Sequence, residues 1–262
     1  MNLRRIIGVA LIAIGSVSLV YADEIVNAIK GTCSISASTE GDEFVIRLQR
    51  STCPDNRGCG EQMFTQPVSA WIGISPADLR REGTHVTGVL RAEAGEITCS
   101  GNVHNQALVG DYTFEPNQTF IGRMDSLGIH GFTSEKLQAY TLFHIDEAWV
   151  RSLQKEGIQG IDSNSLVALK IFKVEPGYVD RMRDLGYGTP SAQKLIAMKV
   201  HHVDPDEVKK IRALGYQPTL DETLQMSIFK VTPEFIERMQ ARGLKNLTIS
   251  KLVQIRIFKL AE

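Results

Sequence analysis

A repeat of 28 or 29 residues occupies the second half of this chain and constrains its fold more than any other feature. Five segments of nine residues align with one another, and each ends in a glycine. The spacings between these glycines are 29, 29, 29 and 28 residues. The glycines are Gly128, Gly157, Gly186, Gly215 and Gly243. Such a period predicts an architecture in which each unit packs on its neighbours.

Each glycine ends a predicted helix of about ten residues, which we term the first helix of its repeat. Pro176, Pro205 and Pro233 lie in the first turn of three of these helices, and Asp204 and Thr232 precede two of the prolines as N-cap residues. Proline at the start and glycine after the end are typical of helices. The sequence therefore gives both ends of the first helix.

A second helix is predicted after each glycine, and six places recur in all five copies. The copies are residues 140–145, 169–174, 198–203, 226–231 and 255–260. Because the first, third, fourth and sixth places are mostly apolar, we expect them to be mainly core positions between neighbouring repeats. The helix pairs predict an α-solenoid of about five helix-turn-helix repeats over residues 116–262.

The first part of the chain has a different period. Apolar and polar residues alternate between residues 23 and 115, as in 44–50, and residues 86–103 have the pattern of a hairpin. This predicts a small antiparallel β domain of about four to six strands. The predicted fold class is therefore α+β, with a disulfide-stapled β domain followed by the α-solenoid.

The first 22 residues have the pattern of a secretory signal peptide. Arg4 and Arg5 precede an apolar run from Ile6 to Val20, and Ala22 marks the predicted cleavage site. The run is shorter than the about 20 residues that span a bilayer, although an uncleaved anchor is the alternative. We expect a bacterial periplasmic or secreted protein with no stable membrane span after cleavage.

All four cysteines lie in the predicted β domain. An oxidising compartment favours disulfides, and four cysteines allow three pairings. Cys53 and Cys59 flank a turn-rich loop, whereas Cys33 and Cys99 lie in predicted strands. We favour the pairs Cys33–Cys99 and Cys53–Cys59. A zinc site is the alternative, which the lack of CxxC pairs disfavours.

The charge balance argues against nucleic acid as a partner. The chain has 29 Lys and Arg residues against 30 Asp and Glu residues, and without residues 1–22 the balance is 27 to 30. Binding to a phosphate backbone depends on an excess of positive charge. A nucleic-acid-binding function is therefore not expected.

Motifs for catalysis and metal binding are missing from the sequence. It contains no Gly-x-Ser-x-Gly elbow and no phosphate-binding loop. His201 and His202 are adjacent, so on a helix they point about 100° apart and suit no common metal ion. His201 also fills the fourth place, where other repeats have phenylalanine. We predict no metal and no cofactor, and we favour a non-enzymatic protein, while a catalytic site without a local motif stays open.

The second and fifth places of the second helix are enriched in basic residues. Residues three apart share one face of a helix, so stacked repeats would align them as a basic ridge. Its members are Lys170, Lys173, Lys199, His202, Lys230, Arg256 and Lys259. Such a ridge suits an acidic partner, either a protein or an anionic envelope polymer. The alternative, which general experience with surface charge favours, is that these are solvated side chains paired with acids of the first helices.

Parts of the chain resemble a known family. The segment 110–117 leads into tandem units, the best preserved being Val231-Thr-Pro-Glu-Phe-Ile236. This pattern resembles the extracytoplasmic repeat region of bacterial BlaR1/MecR1-like membrane sensor proteases. Their His-Glu-x-x-His motif does not occur in this sequence. The resemblance therefore implies an exported sensor-like or binding module without peptidase activity.

Two functions follow from these observations. The first is an exported, non-enzymatic binding or sensor-like module that engages a protein or an anionic envelope polymer through its repeat surface. The alternative is an envelope hydrolase or small-ligand sensor with a pocket at the junction of the two domains, near Tyr112 to Asp125, because pockets form preferentially at domain interfaces.

Overall fold

A computed structural model describes residues 26–52 and 60–259. The predicted signal peptide of residues 1–22, the predicted pair Cys53–Cys59 and residues 260–262 lie outside this part. Within it, seven strands precede ten helices, which confirms the predicted α+β class. None of the helices in these two ranges has the length and apolar character needed to cross a membrane.

The strands form one antiparallel sheet with the order β3-β2-β1-β7-β6-β5-β4. They are β1 (Ile29–Ala37), β2 (Glu43–Arg50), β3 (Gln62–Pro67), β4 (Trp71–Ile72), β5 (His85–Ala92), β6 (Gly95–His104) and β7 (Ala107–Pro116). The predicted hairpin is confirmed, because β5 pairs with β6 and Ala92 lies opposite Gly95. The sheet exceeds the predicted four to six strands because β3 is mostly exposed and lacks clear alternation, and β4 has two residues.

The predicted Cys33–Cys99 disulfide is confirmed, and it joins β1 to β6 across the intervening β7. Two strand spacings in a flat sheet amount to about 9.6 Å, but the two cysteine Cα atoms are 6.1 Å apart. The sheet is therefore strongly curled at this point. Gly110 of β7 faces Gly101 of β6, and a Cβ atom on Gly110 would lie 2.0 Å from the Ser100 carbonyl oxygen. Only glycine fits this close approach.

The helices alternate between the predicted first and second helices. The first helices are α1 (Gln118–Ser126), α3 (Glu147–Lys155), α5 (Pro176–Met182), α7 (Pro205–Ala213) and α9 (Pro233–Ala241). The second helices are α2 (Ser134–Leu142), α4 (Ser165–Ile171), α6 (Ala192–Val200), α8 (Leu220–Ile228) and α10 (Ile249–Phe258). All five repeat glycines have φ between 72° and 90°, as their place after a helix requires. The side chains of Asp204 and Thr232 cap α7 and α9 as predicted.

Each second helix ends in a left-handed residue at the fifth place. These residues are His144, Lys173, His202, Lys230 and Lys259, with φ from 48° to 57°. In the first four repeats the amide of the sixth place then donates to the carbonyl of the first place at 2.8–2.9 Å, as in Val231 to Met226. This is the Schellman closure, in which the two residues that share the bond also make an apolar contact.

The Schellman closure shows that only some of the four apolar places of the second helix are core positions. In the first four repeats the first and sixth places are buried, as Leu169 and Val174 are, because they are the two residues joined by the closing bond. From the second repeat onward the third and fourth places are exposed, except for the half-buried His201, and the prediction of core positions missed this exposure. Ile228 is 40% exposed and Phe229 is 37% exposed, since the helix ends there and both side chains project beyond it.

The sheet and the helices from α1 to α7 share one hydrophobic core. Helix α2 packs on β5, β6 and β7, and the rings of Phe120, Phe132 and Tyr140 contact one another edge to face beside it. This core continues through the helices as far as Val208. A second cluster begins at Ile211 and contains the buried side chains of the last helices. The hydrophobic core is therefore continuous across the boundary near residue 116, where strands give way to helices.

The left-handed fifth place predicts that glycine is stabilising there. The left-handed region costs a non-glycine residue about 1–2 kcal/mol, and the freedom of glycine in the unfolded chain offsets about half of this. Lys230→Gly should therefore raise the free energy of unfolding by about 0.5–1 kcal/mol in urea denaturation. Lys209→Gly, inside α7, is the control and should lower it by about 1 kcal/mol. An equal loss in both variants would contradict the left-handed assignment.

The disulfide predicts a second stability effect. Cys33 and Cys99 are buried and are separated by 66 residues in sequence. A cross-link over a loop of this length stabilises by about 4 kcal/mol through the unfolded state. Cys33→Ala with Cys99→Ala should therefore lower the free energy of unfolding in guanidinium by about this amount. Cys53→Ala with Cys59→Ala is the control and should lose less, because the predicted Cys53–Cys59 cross-link would close only a short loop.

Candidate functional site

The structure divides the predicted basic ridge into two groups of cations. The second-place group does not project freely into solvent, because each member is half-buried over the ring of an aromatic residue in the first helix of its own repeat. The distances from cation to ring centroid are 4.6 Å for Lys170 and Trp149, 4.8 Å for Lys199 and Tyr178, and 4.9 Å for Arg256 and Phe235. These cations have a packing role that the sequence did not indicate.

The aromatic residues of these pairs also reach the next repeat. The indole Nε1 of Trp149 donates to the Glu175 carboxylate at 3.2 Å, and the hydroxyl of Tyr178 donates to the Val203 carbonyl at 3.0 Å. Glu175 and Val203 lie in the linkers that precede α5 and α7. The rings of Trp149 and Tyr178 therefore connect their repeats to the linkers that follow.

The fifth-place group is exposed and does not share a helix face with the second place, contrary to the geometry that the ridge assumed. Its members follow the last helical residues, so the three-residue spacing no longer places them on one face. They lie instead beside the exposed apolar side chains of the third and fourth places. We term this surface the apolar–basic stripe, which comprises residues 171–173, 200–202, 228–230 and 257–259.

Contacts between neighbouring helix ends bring parts of the stripe together. The Ser227 hydroxyl donates to the His201 carbonyl, and Arg256 Nε donates to the carbonyls of Phe229 and Lys230 at 3.2 and 3.1 Å. These bonds place the ends of α6, α8 and α10 side by side. The ends of α2 and α4 line a common cavity of about 460 Å³, which also contacts Gln66 of β3.

The cations of the stripe are not neutralised by the acids that the sequence suggested. Among the ion pairs of residues 26–52 and 60–259, none includes Lys173, Lys230 or Lys259. Two acids that follow the stripe closely along the chain have other partners. Glu175, after Lys173, accepts from Trp149. Asp204, after His202, accepts from the amide of Asp206 at 2.9 Å. The stripe therefore combines unpaired positive charge with exposed apolar area.

The first repeat differs because the sheet covers it. Leu142, in the third place, is 4% exposed, and the Gln66 side chain donates to its carbonyl at 2.7 Å. His144 occupies the fifth place beside the cavity at this junction. Burial lowers its pKa, the cation of Lys170 lowers it further, and Asp146 opposes both effects. The stripe thus begins where the helices meet the sheet edge.

The stretch from Tyr112 to Asp125, the alternative site, lies where α1 and α2 meet the sheet. Phe120 and Met124 are fully buried in the core. Burial raises the pKa of Tyr112, and the nearby Gln138 and Arg50 oppose this rise. The two cavities that we describe lie elsewhere.

His201 and His202 follow the last residue of α6, whereas the sequence predicted both within a helix. His201 is half-buried in the fourth place, and His202 is exposed in the fifth. Within the residues that the structure describes, no group of three His, Cys, Asp or Glu side chains could hold a metal ion.

Comparison with known proteins does not assign the chain to a family. No family model, no curated protein and no solved structure matches it. The resemblance to BlaR1/MecR1-like sensor regions therefore stays a prediction from the residues quoted above.

Sequence reasoning missed the apolar half of the stripe. The signal was present, because Ile-Phe-Lys occurs at residues 171–173, 228–230 and 257–259. An apolar residue two positions after a helix end, with another four or five positions earlier, is typical of a Schellman closure. Recognising this closure would have placed the intervening Ile and Phe outside the core.

The lowered pKa of His144 predicts a pH-dependent contribution to stability. The unfolded histidine takes up a proton near pH 6.5, and the folded one resists this, so stability falls as the pH decreases through that region. Urea denaturation at pH 7.5 and pH 5 should therefore show a smaller loss for His144→Asn than for the wild type. Asparagine suits the left-handed conformation. Equal losses in the two proteins would contradict the prediction.

Proposed function

We propose that the helices form an α-solenoid of about five repeats. The helix ends that contact one another, and the rings that connect each repeat to the next linker, support this arrangement. In a solenoid each repeat contacts mainly its neighbours, so equivalent places of successive repeats align along one surface. The stripe would then extend along the solenoid from the sheet edge to α10.

On this surface the protein acts as an exported, non-enzymatic binding module. Its partner is a protein segment that carries both acidic and apolar side chains. The observation that carries this proposal is the stripe, in which Lys173, Lys230 and Lys259 each follow two exposed apolar residues. Exposed apolar area next to polar residues is typical of interaction sites.

The backbone at the fifth place adds support. Lysine or histidine occupies a left-handed position in every repeat, although glycine is the usual residue there. The cost of about 1–2 kcal/mol at each such position is not required by the fold. A binding role for the cation explains why it is kept.

A protein segment suits the stripe better than an anionic polymer. Phe172, Phe229 and Phe258 are between 37% and 66% exposed, and a purely charged chain would leave this apolar area in water. Burial of apolar area contributes about 25 cal/mol per Å². An acidic segment with Leu, Ile or Phe residues would use both parts of the stripe.

The test measures binding of synthetic 12-residue peptides by fluorescence polarisation. The peptides combine Asp or Glu with Leu or Phe, and polyglutamate serves as the purely charged probe. Lys173→Glu with Lys230→Glu and Lys259→Glu should weaken binding of the mixed peptides by on the order of tenfold or more. Phe172→Ser with Phe229→Ser should also weaken it, because the apolar contact is lost.

The matched control reverses three exposed lysines outside the stripe, at Lys155, Lys245 and Lys251. This variant should bind the mixed peptides as the wild type does, with affinity that falls as salt increases. Equal weakening in both triple variants would show a general charge effect and overturn the proposal. Stripe-dependent binding of polyglutamate in preference to the mixed peptides would replace the protein segment by an anionic polymer.

A further inference from the structure

The fourth repeat lacks the aromatic–cation pair that the second, third and fifth repeats contain. Glu207 stands where these repeats have Trp149, Tyr178 or Phe235, and Ser227 stands where they have a lysine or arginine. Both members of the pair are thus replaced in the same repeat, one by a shorter acid and the other by a small hydroxyl.

A cavity of about 230 Å³ occupies this position. Glu207 and Ser227 both line it, so the two places whose side chains contact each other in three other repeats here face a common space. Its apolar wall includes Val208, Ile211 and Met226, which are at most 5% exposed. This volume is smaller than the roughly 300–1,000 Å³ of pockets that hold drug-sized ligands. It therefore suits a smaller molecule, such as one aromatic ring with a short chain.

The polar groups that line the cavity correspond to groups that form a hydrogen bond in the third repeat. In the third repeat the Tyr178 hydroxyl donates to the Val203 carbonyl, and Val231 is the equivalent residue that lines this cavity. The Glu207 carboxylate has no partner among the ion pairs and hydrogen bonds of the described residues, and it is exposed at the rim. Carbonyl and carboxylate oxygens both accept hydrogen bonds, and a carboxylate attracts a cation.

We propose that this cavity binds a small aromatic amine. The ring occupies the space that Tyr178 fills in the third repeat and packs on Val208 and Met226. A hydroxyl or indole N–H on the ring donates to the Val231 carbonyl, and the ammonium group pairs with the Glu207 carboxylate. The ligand thereby supplies both missing members of the pair. The cavity shares His202 and Lys230 with the stripe, because both residues line it. Its ligand differs from the partner of the stripe, since the amine pairs with Glu207 and not with these cations.

The test uses tyramine and tryptamine as probes, with isothermal titration and thermal unfolding of the whole protein as readouts. Both amines should bind and should raise the Tm in a saturable way. Phenethylamine, which lacks the ring donor, and p-cresol, which lacks the ammonium group, should each bind more weakly. Glu207→Gln keeps the shape and removes the charge, and it should weaken tyramine binding by about tenfold or more.

A second variant fills the cavity with the pair of the third repeat. Glu207→Tyr with Ser227→Lys should raise the Tm without ligand and should abolish the response to tyramine. If this variant does not fold, the comparison of wild type with Glu207→Gln decides the question alone. The proposal is overturned if tyramine at millimolar concentration fails to bind the wild type, or if Glu207→Gln or the filled variant binds it as tightly as the wild type does.

Discussion

The backbone bond that closes each second helix organises the helical part of this protein. In the first four repeats the sixth-place amide reaches back to the first-place carbonyl, which requires a left-handed residue between them. The bond turns the chain toward the next first helix and buries the first and sixth side chains together. From the second repeat onward it also leaves the third-place and fifth-place side chains exposed, together with the phenylalanines of the fourth place. One local hydrogen bond therefore determines both the core and the surface of the repeat.

Aromatic–cation pairs act on this framework as connections between repeats. Trp149 and Tyr178 each lie under the cation of their own repeat and donate to the linker of the next one. A contact of this kind contributes about 0.5–2 kcal/mol, depending on burial. The cations that carry it are unavailable for a partner, so the surface charge comes from the fifth place instead. The second-place cations thus pack on aromatic rings, and the fifth-place cations provide the exposed charge.

The sequence predicted most of the secondary structure and less of the surface. Proline and glycine bounded the first helices because their backbone preferences are local, and alternation identified strands such as β2 for the same reason. The Cys33–Cys99 pair was also predicted, since it joins two buried strand positions. The fate of Ile228 and Phe229 was not predicted, because helical periodicity assumes that the helix continues. A left-handed Lys230 ends it, and the signal for this end lies in the spacing of Met226 and Val231, because lysine itself does not favour that conformation.

The interruption of the hydrophobic core between Val208 and Ile211 has a consequence for how the molecule opens. The sheet and the helices up to α7 share one hydrophobic cluster, against which Leu220 and Leu224 of α8 also pack, whereas most buried side chains of the last helices form a second cluster. Segments with separate interiors open with separate free energies in native proteins. The cavity beside Glu207 is lined by residues of both clusters and therefore lies where they meet. A molecule held there would couple the two clusters, so that the end of the chain gained cooperativity with the sheet.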